Sequence, residues 1–122
     1  MKPNERDIQI LQHIVRYCNE IASTIDRFGN NKELFIQDFI YRNAISMPFF
    51  QISELANHLS QDFLAINKEI PWNYIVGMRN RFAHGYQVMN DLKIWETATV
   101  DIPFLKEFCE KAMRDLNDNT GK

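Results

Sequence analysis

Residues 4–28 read NERDIQILQHIVRYCNEIASTIDRF. Ile8, Leu11, Ile14, Val15, Cys18, Ile21, Ile25 and Phe28 recur at steps of three and four, the spacing of one helix face. Asn4 is a good N-cap, and Glu5 and Asp7 put negative charge in the first turn, where the helix dipole favours it. Gly29-Asn30 ends the segment. One long amphipathic helix of this kind must lay its apolar stripe against other elements, so the reading turns on whether the rest of the chain is also helical.

It is. Asn31 can cap a short helical turn around Glu33–Gln37. From about Asp38 to Leu64 a second long helix is expected, its stripe carried by Phe39, Ile40, Ala44, Met47, Ile52, Leu55, Ala56 and Leu59. Pro48 inside it should kink it by removing one backbone donor. Phe49-Phe50 leaves apolar surface on more than one face, which suggests burial both in the core and against a second subunit. Residues 66–70 read as a loop, and Pro71 suits the first turn of a third helix with Trp72, Ile75, Val76, Phe82 and Ala83 inward and Gly85 at its end. Asp91 is read as the cap of a fourth, with Leu92, Trp95 and Val100 inward; Pro103 bends or restarts it, and Phe104, Leu105, Phe108, Ala112, Met113 and Leu116 complete the stripe. Residues 117–122 read as a frayed tail. Short loops between long helices predict antiparallel neighbours, hence an all-α, up-and-down four-helix bundle with a short extra helix and proline-kinked helices. At 122 residues the expectation is one domain, 1–122.

Composition narrows the function. Four glycines and four prolines argue against disorder and turn-rich all-β folds. Two cysteines, Cys18 and Cys109, form no C-x-x-C pair and are read as small packed hydrophobes. No apolar run approaches ~20 residues and no signal sequence is visible, so a cytoplasmic protein with no membrane partner is expected. The net charge of −2 is unlike a dedicated nucleic-acid binder. The distribution is more telling: Pro71–Asn90 holds no Asp or Glu in a chain with 16 acids, and Arg79, Arg81 and His84 fall inside it.

That window contains Arg79-Asn80-Arg81-Phe82-Ala83-His84-Gly85-Tyr86. Arginine and histidine beside a C′ glycine also suit a plain helix end. The chemical reading is sharper. Arginine grips phosphate bidentately and stays charged, and histidine exchanges protons near neutral pH. Metal-free RNA cleavage needs a group to take the 2′-OH proton and a cation to stabilise the phosphorane. Arg79 and His84 lie about 140° apart on an ideal helix, so they converge only if the helix end is distorted or a dimer mate brings its own copies. Arg81 and His84 are the better neighbours within one helix. Two other features point elsewhere. Glu54, His58 and Asp62 form an i, i+4, i+8 row, read mainly as a solvated face with local pairs. His13, among Ile, Leu and Val, is read as a partly buried helix residue. No metal site and no cofactor is expected.

The segment Ile70-Pro71-Trp72-x-x-Ile75-x-Gly77-Met78-Arg79-Asn80-x-x-Ala83-His84-Gly85-Tyr86 resembles the HepT-like branch of the HEPN superfamily, whose motif is Arg, a polar residue, a short spacer, His, any residue, Tyr. Gln51-Ile52-Ser53-Glu54-Leu55 with His58-Leu59-Ser60, and Trp95-Glu96-Thr97 with Asp101-x-Pro103-x-Leu105, resemble two further segments of that family, in the same order. The likeness runs from about residue 38 to the C-terminus. It implies a homodimeric all-α toxin of a type VII toxin–antitoxin pair, a metal-independent endoribonuclease. Its partner would be a minimal nucleotidyltransferase antitoxin that transfers AMP to the motif tyrosine, here Tyr86. It implies that Arg79 stabilises the phosphorane, Asn80 positions phosphate or the arginine, and His84 is the general base or acid; Arg81 and Gly85, inside the same run, are read as substrate-binding. One departure is Ser53, where the family usually has glycine; the low net charge is another. A second reading is a non-catalytic helical partner or scaffold for a nucleotidyltransferase.

Overall fold

A computed structural model describes residues 3–84 and 90–120, with side chains for 5–82 and 90–118. Seven α-helices follow in order: α1 (Pro3–Phe28), α2 (Lys32–Gln37), α3 (Phe39–Ala56), α4 (Gln61–Ile66), α5 (Trp72–His84), α6 (Asp91–Glu96) and α7 (Ile102–Thr120). A π-helical turn, Thr97–Asp101, joins the last two. No strand occurs among the described residues. The chain is an all-α bundle, as its periodicity requires.

Helix α1 packs against α3 and α7, and α3 against α5. Leu11, Ile14 and Ile21 of α1, Tyr41, Ile45, Phe49 and Ile52 of α3, and Leu105 and Cys109 of α7 are all buried. Cross-helix contacts set the directions. Phe28, at the end of α1, stacks on Tyr41 near the start of α3, centroids 4.6 Å apart. Phe82, late in α5, meets both Phe49 and Phe50 of α3. The corner between α1 and α2 is Gly29, whose φ of +105° is a conformation that a Cβ would strain. Its carbonyl accepts from the Tyr41 hydroxyl at 2.8 Å, which pins the corner to the core.

Caps explain the short elements. Asn31 Oδ1 accepts from the Leu34 N–H to open α2. Asp38 ends α2 and opens α3 by accepting from Ile40 and Tyr41. The first correction comes next: α3 stops at Ala56 instead of running to Leu64. Its continuation is a tight turn, and Ser60 starts α4 as N-cap by accepting from the Phe63 N–H. Buried Asp7 of α1 accepts from both the Ser60 N–H (2.9 Å) and the Ser60 hydroxyl (2.7 Å), so a charge from another helix fixes the break. Ala56, Leu59 and Phe63 are buried on both sides of it, which is why periodicity alone reads straight through. The helix also runs through Pro48, which is buried.

The fourth long segment departs most. Its cap is Asn90, which accepts from Leu92 and Lys93; Asp91 is the first helical residue and pairs with Arg42 at 3.9 Å. Leu92, Val100 and Phe104, expected inward, are exposed, while Ile94, Trp95, Ala98 and Ile102 are buried. Leu92 lies off the stripe that Ile94 and Trp95 begin, before the π-turn is reached; that turn, wider by one residue, bears only on the phase of Val100 and Phe104. Pro103 stands two residues past the π-turn, in the first turn of α7; a proline ring crowds the carbonyl four residues back, here that of Thr99 inside the wider turn. Phe39, Ile40 and Met47, expected on the inner stripe of α3, are exposed, and His13 is exposed too. Helix α7 runs on to Thr120, beyond the last apolar position of its stripe.

Candidate functional site

The Arg79 motif lies at the end of α5. The inner stripe of this helix is Trp72, Ile75 and Met78, all buried. Trp72 is held by its indole N–H, which donates to the Asn67 carbonyl at 2.7 Å, and by edge contacts with Phe63 and Phe108. Tyr74 hydroxyl lies 3.0 Å from Thr97 Oγ1, tying α5 to the π-turn. The far end is fixed by Phe82 against Phe49 and Phe50. With both ends anchored, Arg79 leaves the helix at the edge of the packed stripe, its side chain 37% exposed.

Its partner is Glu54, in the last turns of α3: Arg79 Nε lies 3.1 Å from Glu54 Oε1, and the glutamate is also 37% exposed. The window that is free of acids in sequence is therefore not free of them in space. Glu54 stands beside two fully or nearly buried residues, Ile52 and Ser53. Ser53 donates its hydroxyl to the Phe50 carbonyl at 2.7 Å, so it is satisfied within its own helix.

The other expected residues separate. Asn80 and Arg81 are exposed. Helix α5 is regular through His84, so positions 79 and 84 stay about 140° apart and the chain does not bring them together by distorting the helix. The His84 side chain, and Gly85 and Tyr86 entirely, lie outside the described residues. The row Glu54–His58–Asp62 does not form: Glu54 belongs to α3, His58 to the exposed turn, and Asp62 to α4. The contact that sequence reasoning missed is Glu54 with Arg79, 25 residues apart on different helices. Only the absence of acid near Arg79 hinted that its counter-charge must come from elsewhere.

Two cavities formed by the described residues lie away from this pair. One of about 430 Å³ opens between α1, the π-turn and α7, lined by Cys18, Ile25, Thr99 and Lys106 among others. Another of about 200 Å³ sits under Tyr74, Phe49 and Phe104. Neither is lined by Glu54 or Arg79. A guanidinium at an open surface suits a polymer's phosphate better than an enclosed small molecule. Burial pushes the Cys18 thiol up to about 12 and that of Cys109 higher still, which keeps both protonated and inert. No helix of the described residues is long and apolar enough to cross a membrane.

Comparison with known proteins bears on this arrangement. The family model described as "Ribonuclease HepT-like" matches residues 10–112. A Methanocaldococcus jannaschii protein named "Putative RNase MJ0125" is 29% identical over 93% of this chain and 97% of its own length. One from Caldanaerobacter subterraneus, "Putative RNase TTE0752", is 30% identical over 80% of this chain and 85% of its own. "Probable ribonuclease HepT" of Thermococcus cleftensis is 28% identical over 78% of this chain and 91% of its own. No solved structure matches. The family match spans both helices of the Glu54–Arg79 pair and the whole α5 motif, and this chain belongs to the ribonuclease HepT-like family.

Proposed function

We propose that the chain is a metal-independent endoribonuclease toxin that works at a cleft between two copies of itself. The observation that carries this is the half-exposed Arg79 at the packed end of α5, in a chain of the ribonuclease HepT-like family. In this reading the RNA 2′-OH attacks the adjacent phosphorus as His84 takes its proton. Arg79 stabilises the phosphorane oxygens, Asn80 helps place the phosphate, and Arg81 and Gly85 border the RNA. The 5′-oxygen leaves with the proton that His84 gives back as general acid, giving a 2′,3′-cyclic phosphate and a 5′-hydroxyl.

Two features support a second copy. Arg79 and His84 stand about 140° apart on a regular helix, so a symmetric partner is the remaining way to gather two sets of motif residues in one cleft. The outer face of α3 also carries exposed Ile40 and Met47 in line with Gln51 and Glu54, at helical steps of seven, four and three. An apolar stripe that leads to the arginine is a natural seat for a twin of the same helix.

Control would come from a minimal nucleotidyltransferase antitoxin. The Tyr86 phenol oxygen would attack the α-phosphorus of ATP, releasing pyrophosphate, and the AMP would bring bulk and negative charge two residues from His84. The test is intact mass of the chain made alone and together with a minimal nucleotidyltransferase, each followed by RNA cleavage. AMP increments on Tyr86 with cleavage lost are expected. Cleavage that persists on the modified protein would refute this control. Tight association with the transferase but no cleavage by unmodified protein would establish the non-catalytic partner instead.

A further inference from the structure

We propose that Glu54 is a positioning residue for Arg79: its carboxylate holds the guanidinium through Nε and so fixes the direction in which the two Nη groups meet RNA phosphate. This rests on the reading of Arg79 as the group that stabilises the phosphorane.

The geometry supplies the argument. The 3.1 Å contact is a charge-assisted hydrogen bond between side chains that are each 37% exposed. A pair so open to water adds little to stability, so its removal should leave the fold in place and a kinetic effect can be read separately. Both backbones are anchored by packed neighbours where the pair forms. Glu54 follows buried Ile52 and Ser53 on α3, Arg79 follows buried Met78 on α5, and the rings of Phe49, Phe50 and Phe82 set the register between the two helices. The pair is therefore built before substrate arrives.

Arginine is long, and an unheld guanidinium must be ordered each time phosphate binds. A guanidinium has five N–H donors; a carboxylate on Nε takes one and leaves four on the Nη atoms for phosphate oxygens. Glu54 also has an opposing effect. A carboxylate beside the cleft repels the phosphates of RNA, which weakens ground-state binding. Holding the arginine lowers the barrier to cleavage, whereas the extra negative charge raises KM. The two effects act on different kinetic constants, and that gives the proposal a signature.

The experiment is steady-state cleavage of an oligoribonucleotide by the wild-type chain, Glu54→Ala, Glu54→Gln, Arg79→Ala and the double variant Glu54→Ala/Arg79→Ala, with melting curves for each. For Glu54→Ala, kcat is expected to fall about 10-fold or more with KM unchanged or lower. Glu54→Gln, which keeps an acceptor for Nε, is expected to recover most of kcat. The double variant should be no slower than Arg79→Ala, because Glu54 acts only through the arginine. Unchanged or raised kcat in Glu54→Ala, a loss carried by higher KM, or a further loss in the double variant would each overturn the proposal while leaving the ribonuclease reading in place. Full activity in Arg79→Ala, or no cleavage by the wild type, would overturn both.

Discussion

The seam between α1 and α7 and the seam between α3 and α5 are made from the same kind of helix, yet they end differently. Along the first, Leu11, Ile14, Cys18 and Ile21 meet a stripe containing Leu105, Cys109 and Ala112, and every one is buried. Along the second, burial at Phe49, Ile52 and Met78 gives way to a half-exposed ion pair, Glu54 with Arg79, and then to exposed Asn80 and Arg81. The first seam is packing, bordered by the cavity that Cys18, Ile25 and Lys106 line. The second uses its packed part to aim polar groups that its last turns leave in solvent. On the reading proposed above, the chemistry of this bundle would sit where an apolar stripe runs out, not where it is deepest.

This contrast is open to attack in a graded way. Leu11→Ala removes a fully buried side chain from the first seam and is expected to cost about 2–5 kcal/mol in denaturant unfolding, with RNA cleavage per folded molecule unchanged. A cost under about 1 kcal/mol would mean that the seam is not the structural core. Asp7→Ala, which strips Ser60 of both bonds and loosens the break between α3 and α4, should cost about 1–3 kcal/mol by the same measurement. The thiols give a pH test. Burial raises the Cys18 pKa from 9.0 to about 12, so between those values the folded chain keeps a proton that the unfolded chain releases. Stability should hold steady below about pH 9 and fall above it, by on the order of 1 kcal/mol per pH unit for each thiol, and Cys18→Ala should flatten the decline. Val100→Ala, at an exposed position of the π-turn, should change stability by less than about 0.5 kcal/mol. A larger loss would show that this face is covered in the folded protein.

Much of the architecture was legible. The stripe from Leu11 to Ile25, the cap at Asn31 and the corner at Gly29 follow from spacing and local chemistry, and all three are found. What spacing does not carry is a break whose cause is distant. Leu59 and Phe63 keep the helical period across the end of α3, and it is Asp7, 53 residues away from Ser60, that turns the chain there. The π-turn is hidden for a related reason. Pro103 signals a disturbance, but not that the turn before it widens by a residue, and the spacing does not show that Ile94 and Ala98, instead of Leu92 and Val100, carry the buried stripe. At the site, residue types and their acid-free window marked Arg79, Asn80, Arg81 and His84 as a cluster. The counter-charge at Arg79 was not legible, since Glu54 reaches it only through the packing of α3 on α5.

The central claim is that the end of α5 carries chemistry and not only a helix terminus. The most direct test is cleavage of RNA in EDTA by the purified wild-type chain, Arg79→Ala and His84→Ala, with melting temperatures recorded beside the rates. The account predicts cleavage by the wild type that leaves 2′,3′-cyclic phosphate ends. It also predicts a loss of about 100-fold or more in each variant, with melting temperatures within a few degrees of one another. Wild-type rates in both folded variants, or a wild type that cleaves only with a divalent metal, would contradict it.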